Sequence, residues 1–225
     1  MDYIFLAVIP GIILLFYFYK RDIYEPEPKY LVLKTFFWGM LVAFITGLIS
    51  NNFSKIFQIN EYYSIVILAP IVEECFKFFA VLKLRFNHKE FNEPMDGIIY
   101  GVALALGFAV LENILYMYVA LEQGKVFSTL LMRGFLSVPG HALYAVIWGY
   151  ALGMYKFRKK SKFFLIISLT LAILCHACFN FFSQGRNIIL VLLLLILLSF
   201  FMWKIANNDI KKALKNSPFI KYFNK

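Results

Sequence analysis

Seven apolar runs divide this chain, at about 3–19, 31–50, 62–84, 95–121, 129–155, 163–183 and 188–203. Each is near the roughly 20 residues that an α-helix needs to cross the hydrocarbon core of a bilayer. Inside hydrocarbon every backbone N–H and C=O must be satisfied within the protein, which leaves helices or closed barrels. Runs this long and continuous read as helices. The expected fold is therefore an all-α, polytopic transmembrane bundle of about seven spans, one integral membrane domain over residues 1–225. Composition agrees: 61% of the residues are hydrophobic and 16% charged, against about 25% charged in an ordinary soluble domain. A chain of 225 residues leaves no room for a sizeable soluble domain beside seven spans.

The loops fix an orientation. One alternating set carries Lys20-Arg21 with Lys29 and Lys34, then Lys83, Arg85 and Lys89, then the cluster from Lys156 to Lys162, then the lysines of the tail. The other set carries only Lys55, Lys125 and Arg186. The positive-inside rule places the first set in the cytoplasm, with the N-terminus outside and the C-terminus inside. The first run lacks a basic residue before it, so it reads as a retained span rather than a signal peptide. The net charge of +10 suits loops facing anionic lipid and gives no reason to expect nucleic acid. Cys75, Cys175 and Cys178 lie inside runs, which argues against a disulfide framework. The basic tail, 204–225, suits either a short helix on the inner membrane surface or a solvated segment.

Ionisable residues at membrane depth are expensive, about 2.5–3.5 kcal/mol each at a helix centre on insertion scales, and mark functional sites. The third run holds Glu73, Glu74 and Lys77. Lys77 stands three and four residues after the glutamates and reaches either. One carboxylate with one lysine would be a self-neutralising pair; the second carboxylate exceeds that need and suits acid–base work. Pro70, one turn earlier, marks a kink beside a cavity. The fourth run opens with Asp96, where capping of the helix competes with a functional role, and later carries Glu112-Asn113. The fifth carries His141 after Pro139-Gly140, and the sixth His176 with Asn180 one turn on. Arg133, near the outer end of the fifth run, reads as a snorkelling side chain. Tyr100 and Tyr116 read as interface anchors, and Gly97, Gly101 and Ala105 as a packing stripe. Counted from the outer end of each run at 1.5 Å per residue, Glu74 lies ~18 Å deep, Glu112 ~13 Å, His141 ~18 Å and His176 ~10 Å. These depths fall in one layer on the outer side of the midplane.

Two chemistries fit such a layer. A zinc ion could take His141, His176 and Glu112 as ligands and keep a water. Alternatively a glutamate activates water without metal, while His and Asn meet the oxyanion. No HExxH is present, and spacing does not choose between the two. A proton- or ion-coupled transporter using the Glu, Lys and His cluster as a relay is the alternative from another class.

The motifs taken in order carry a resemblance. Glu73-Glu74-x-x-Lys77, then DGIIYG at 96–101, then Phe108 with Glu112-Asn113, then His141 in PGHALYA, then His176-x-x-x-Asn180 resemble the PrsW family of bacterial intramembrane proteases. The chain is similar, more distantly, to the CAAX-processing and bacteriocin-processing membrane proteases. The matching region runs from about 70 to 181. The resemblance implies a multi-pass protease of the bacterial cell membrane, with zinc or a metal-independent glutamate mechanism both open. It implies a single-pass membrane protein as substrate, an anti-sigma factor cut near the extracytoplasmic face. The residues it places in the site are Glu73, Glu74, His141 and His176 as catalytic groups, with Lys77, Glu112, Asn113, Asn180 and Asp96 in support.

Overall fold

The computed structural model describes residues 2–223, so the last two residues of the basic tail lie outside it. Every element is helical: α1 (Asp2–Tyr19), α2 (Lys29–Ile56), α3 (Glu61–Tyr63), α4 (Ala69–Leu84), α5 (Pro94–Glu122), α6 (Val126–Met132), α7 (Val138–Arg158), α8 (Lys162–Ser183), α9 (Ile188–Lys215) and α10 (Ile220–Phe223). Two short π-helical segments, Ser64–Leu68 and Arg133–Ser137, join α3 to α4 and α6 to α7.

Five stretches are long and apolar enough to cross a membrane: Lys29–Ile56, Pro94–Glu122, Val126–Arg158, Lys162–Ser183 and Ile188–Lys215. The other two expected runs fall short for different reasons. α1 offers a shorter apolar stretch, Tyr3–Tyr19. The third run is divided into α3, a π-helical segment and α4, and α4 has 16 residues with Glu73, Glu74 and Lys77 among them. The tail differs from expectation. α9 does not stop near Trp203 but continues to Lys215, because Met202, Ala206, Ile210 and Ala213 keep an apolar stripe buried against the bundle.

α5 is the axis of the fold. It is apolar on all sides, as a helix wrapped by others must be, and it packs against α1, α2, α4, α7 and α9. Small residues allow the closest approaches. A Cβ on Gly97 would sit 2.2 Å from the Gly149 carbonyl oxygen, and one on Gly153 2.2 Å from that of Pro94. Gly39 meets Leu104 and Gly107 meets Phe36 in the same way across α2 and α5. Around this core, Phe5, Phe16, Phe44, Leu193 and Phe200 turn outward as an apolar rim, the arrangement expected of side chains facing lipid.

Both π-helical segments precede a proline. At the first, the Ala69 N–H bonds to the Ser64 carbonyl, an i→i−5 rung. The next rung would run from residue 70 to Ile65, and Pro70 has no N–H to make it. The freed Ile65 carbonyl accepts instead from Asn180 Nδ2 of α8, at 2.9 Å. The kink that the sequence suggests at Pro70 is thus a π-helical bulge, and its open carbonyl is closed by a neighbouring helix.

Candidate active site

The bulges open a cavity of about 430 Å³ whose wall includes Glu73, Glu112, Tyr116, Arg133, His141, Tyr144, His176 and Asn180. Ser128, Thr129, Ser183 and Gln184 line its mouth, near the loops poor in basic residues.

The two glutamates of the opening motif separate here. Glu74 is fully buried and turned away from the cavity wall. It accepts from Lys77 Nζ at 2.8 Å, from Trp148 Nε1 at 3.1 Å and pairs with His176 Nδ1 at 3.0 Å. Glu73 lines the cavity, and its buried Oε2 makes no hydrogen bond; Lys77 Nζ stands 3.5 Å from it. Lys77, fully buried, also reaches His141 Nδ1 at 3.1 Å and lies 3.9 Å above the Phe108 ring. One lysine therefore holds two carboxylates and a histidine, which only its three N–H groups permit.

The tautomers follow from these partners. An ammonium has no acceptor, so Lys77 donates to an unprotonated His141 Nδ1. His141 Nε2 then carries the proton and donates to Glu112 Oε2 at 3.0 Å. His176 donates from Nδ1 to Glu74, which leaves Nε2 with its lone pair. The two imidazoles lie 5.1 Å apart, nearly perpendicular, and Tyr144 stacks on His176 at 4.8 Å.

Arg133 does not snorkel. Its Nη2 meets Glu112 Oε2 at 2.5 Å, its Nε donates to Asn113 Oδ1 at 2.6 Å, and the guanidinium lies 3.9 Å over Tyr116. Asn113 Nδ2 in turn donates to the Ala7 carbonyl of α1 at 3.1 Å. The clamp ties Glu112 Oε2 to both Arg133 and His141. The carboxylate that joins both histidines is Glu73: one donor atom from each of Glu73, His141 and His176 lies within 4.8 Å of the others. The set expected from the sequence had Glu112 where this trio has Glu73. Three N or O donors with room for a water suit zinc. Glu73 has a buried oxygen without a hydrogen bond and His176 a second ring nitrogen, Nε2, that makes none among the described residues. His141 would have to release Lys77 or Glu112. Glu74 behind His176 is the carboxylate that usually orients a metal-bound imidazole.

Other expected residues are placed elsewhere. Asp96 caps α5, accepting from the Asn92 and Glu93 N–H groups at 2.5 and 2.7 Å, far from the cavity. Tyr100 is no interface anchor: it is fully buried and its hydroxyl donates to Glu27. Trp148 and Tyr144 escaped the sequence reading. Their signal was spacing, since residues 144 and 148 follow His141 at three and seven positions and share its helical face.

A family model described as PrsW family intramembrane metalloprotease matches residues 27–205. A protein named Protease PrsW from Geobacillus kaustophilus is 35% identical over 192 residues, covering 80% of this chain and 79% of its own. Its namesake from Clostridioides difficile is 32% identical over 232 residues, covering 96% and 93%. That from Bacillus subtilis is 33% identical over 210 residues, covering 92% and 93%. No solved structure matches.

Proposed function

The chain belongs to the PrsW family of intramembrane proteases, and on that footing we propose that it cuts a single-pass membrane protein near the extracytoplasmic face, with an anti-sigma factor as the substrate class. It is a multi-pass membrane enzyme. The family match and the relatives are proteases, so the transporter alternative has no support from them. We read the topology as seven spans, N-terminus outside and C-terminus in the cytoplasm. In that orientation the cavity mouth at Ser128 and Gln184 opens outward.

The observation that carries the catalytic reading is the contrast between the glutamates. Glu74 is saturated by hydrogen bonds, whereas Glu73 lines the cavity with an oxygen that makes no hydrogen bond and meets Lys77 only as an ion pair at 3.5 Å. Glu73 takes the proton of the attacking water and later gives it to the leaving amine. Lys77 and Glu74 hold it in place and keep its surroundings charged. Arg133, on the wall, is a fixed positive donor for the oxyanion. In the metal-dependent form of the mechanism Glu73, His141 and His176 would instead hold a zinc ion, which when bound would acidify its water and polarise the scissile carbonyl, in place of proton transfer by Glu73.

The test is cleavage of a membrane-anchored substrate by Glu73→Gln. Loss of cleavage with the protein still folded is expected; full cleavage would sink the reading.

A further inference from the structure

A second cluster of buried carboxylates lies at the opposite end of α5. Asp22 and Glu27 come from the connection between α1 and α2, Glu93 is the N-cap of α5, and Asp96 stands in its first turn. All four are 0–3% exposed. None is in an ion pair among the described residues. The neighbouring cations are engaged elsewhere. Lys156 Nζ donates to the carbonyls of Phe86 and Phe91, at 2.5 and 2.7 Å. Arg85 Nε donates to Thr35 Oγ1 at 2.6 Å.

Three of the carboxylates share one pattern, in which one oxygen is tied and the other is left over. Asp96 Oδ2 takes the two N–H groups of the cap, Asp22 Oδ2 accepts from the Glu27 N–H at 3.3 Å, and Glu27 Oε2 accepts from the Tyr100 hydroxyl. Asp22 Oδ1, Glu27 Oε1 and Asp96 Oδ1 are buried with no donor. One oxygen from each of Asp22, Glu93 and Asp96 lies within 4.8 Å of the others. A single cation at about 2.0–2.6 Å from each oxygen spans such a set.

We propose that this cluster binds a hard divalent cation, of the magnesium or calcium class, through carboxylate oxygens of Asp22, Glu93 and Asp96. The donor set is all oxygen and largely anionic, which selects hard cations over zinc. The tied oxygens of Asp22 and Asp96 hold their free ones in place before the ion arrives, and both oxygens of Glu93 are left without a hydrogen bond. The cation joins the α1–α2 connection to the N-terminus of α5. It lies ~24 Å along α5 from Glu112, at 1.5 Å per residue, so it is separate from the catalytic cavity. Its role is to lock the inner ends of α1, α2 and α5 beneath the site.

The experiment uses the full-length protein in detergent, stripped with chelator and measured at constant ionic strength. Mn²⁺ serves as a paramagnetic probe of stoichiometry, and thermal unfolding is followed with Mg²⁺ and with Ca²⁺. One tightly bound Mn²⁺ is expected in Glu73→Gln protein, whose cavity site is impaired. A Tm rise of about 5 °C or more is expected at a hundredfold excess over Kd. Asp22→Asn and Glu93→Gln should lose both responses. No Tm response in the wild type, no tight Mn²⁺ in Glu73→Gln, or an undiminished response in folded Asp22→Asn would each overturn the proposal. If the carboxylate variants do not fold, the first two measurements still decide it.

Discussion

Asn180 Nδ2 donates to the Ile65 carbonyl, the acceptor that Pro70 leaves without its π-helical donor. The contact ties α8, which carries His176, to the bulge that aims Glu73 into the cavity. Leaving a buried carbonyl unpaired costs about 1–3 kcal/mol. Spent on misplacing Glu73, that amounts to a loss of about ten- to a hundredfold in rate. Asn180→Ala is therefore expected to slow cleavage by that factor. Adding Pro70→Ala returns an N–H to the bulge and should recover part of the rate. A double variant as slow as the single one would place Asn180 at the reacting atoms instead.

Glu73 and Glu74 should differ in what their loss does. Glu73→Gln removes a carboxylate that no hydrogen bond holds, so cleavage stops while thermal stability, compared in metal-free protein, stays near the wild-type value. Glu74→Gln leaves Lys77 without its closest partner and disturbs Trp148 and His176. Breaking a buried pair on one side costs about 3–5 kcal/mol. The variant should lose both activity and stability, seen as reduced yield and a lowered unfolding temperature in detergent. Equal stability of the two variants would contradict the division of labour.

The donor set of Glu73, His141 and His176 also predicts a metal content. Purified wild-type protein should carry about one zinc per chain, as a three-ligand catalytic site does. His176→Ala should lose it, and a chelator should stop cleavage by the wild type. Elemental analysis makes the readout independent of activity. Metal-free wild-type protein that cleaves at full rate would assign the chemistry to Glu73 acting without metal.

Much of the site was legible because hydrocarbon makes polar residues conspicuous. Glu73, Glu74, Lys77, His141 and His176 stand out as charges and imidazoles in apolar runs, and the depth count puts Glu74, Glu112, His141 and His176 in one layer. Partnership was not legible. Arg133 sits close enough to the outer interface for snorkelling to account for it, and only the packing of α6, which leads into Arg133, against α5 brings it to Glu112. Asp96 carried capping and function with equal plausibility, and the two N–H groups on its Oδ2 show the cap. The tail was misread for a related reason. Its lysines interrupt the apolar run, but the positions at 202, 206, 210 and 213 keep a helical period, and the helix continues through the charges.

Arg133 offers a sharper test of partnership. Its Nη2 and Nε hold Glu112 and Asn113 together, and through Asn113 the clamp reaches α1. A lysine supplies charge without the planar fork. Arg133→Lys should therefore keep the fold but lower cleavage about tenfold, the loss of roughly one hydrogen bond's worth of positioning. Arg133→Ala should fall further, because Glu112 is left with His141 alone. Wild-type rates in Arg133→Lys would reduce the residue to a bare charge.

The helix axis makes the last prediction. A Cβ at Gly149 would stand 2.4 Å from the Gly97 carbonyl oxygen, and backbone there has no flexible end that can move aside. Gly149→Ala must part α5 from α7, the pair that positions Glu112 opposite His141. Overpacking of this kind costs about 1–3 kcal/mol or more, and cleavage should fall with stability. Gly47 on α2 is the control, since nothing lies within 4 Å of the position its Cβ would take. Gly47→Ala should be tolerated or should stabilise by up to about 1 kcal/mol through helix propensity. Unfolding temperatures of the two variants in the same detergent make the comparison. Similar values for both would mean that the α5–α7 contact is looser than the glycine pair requires.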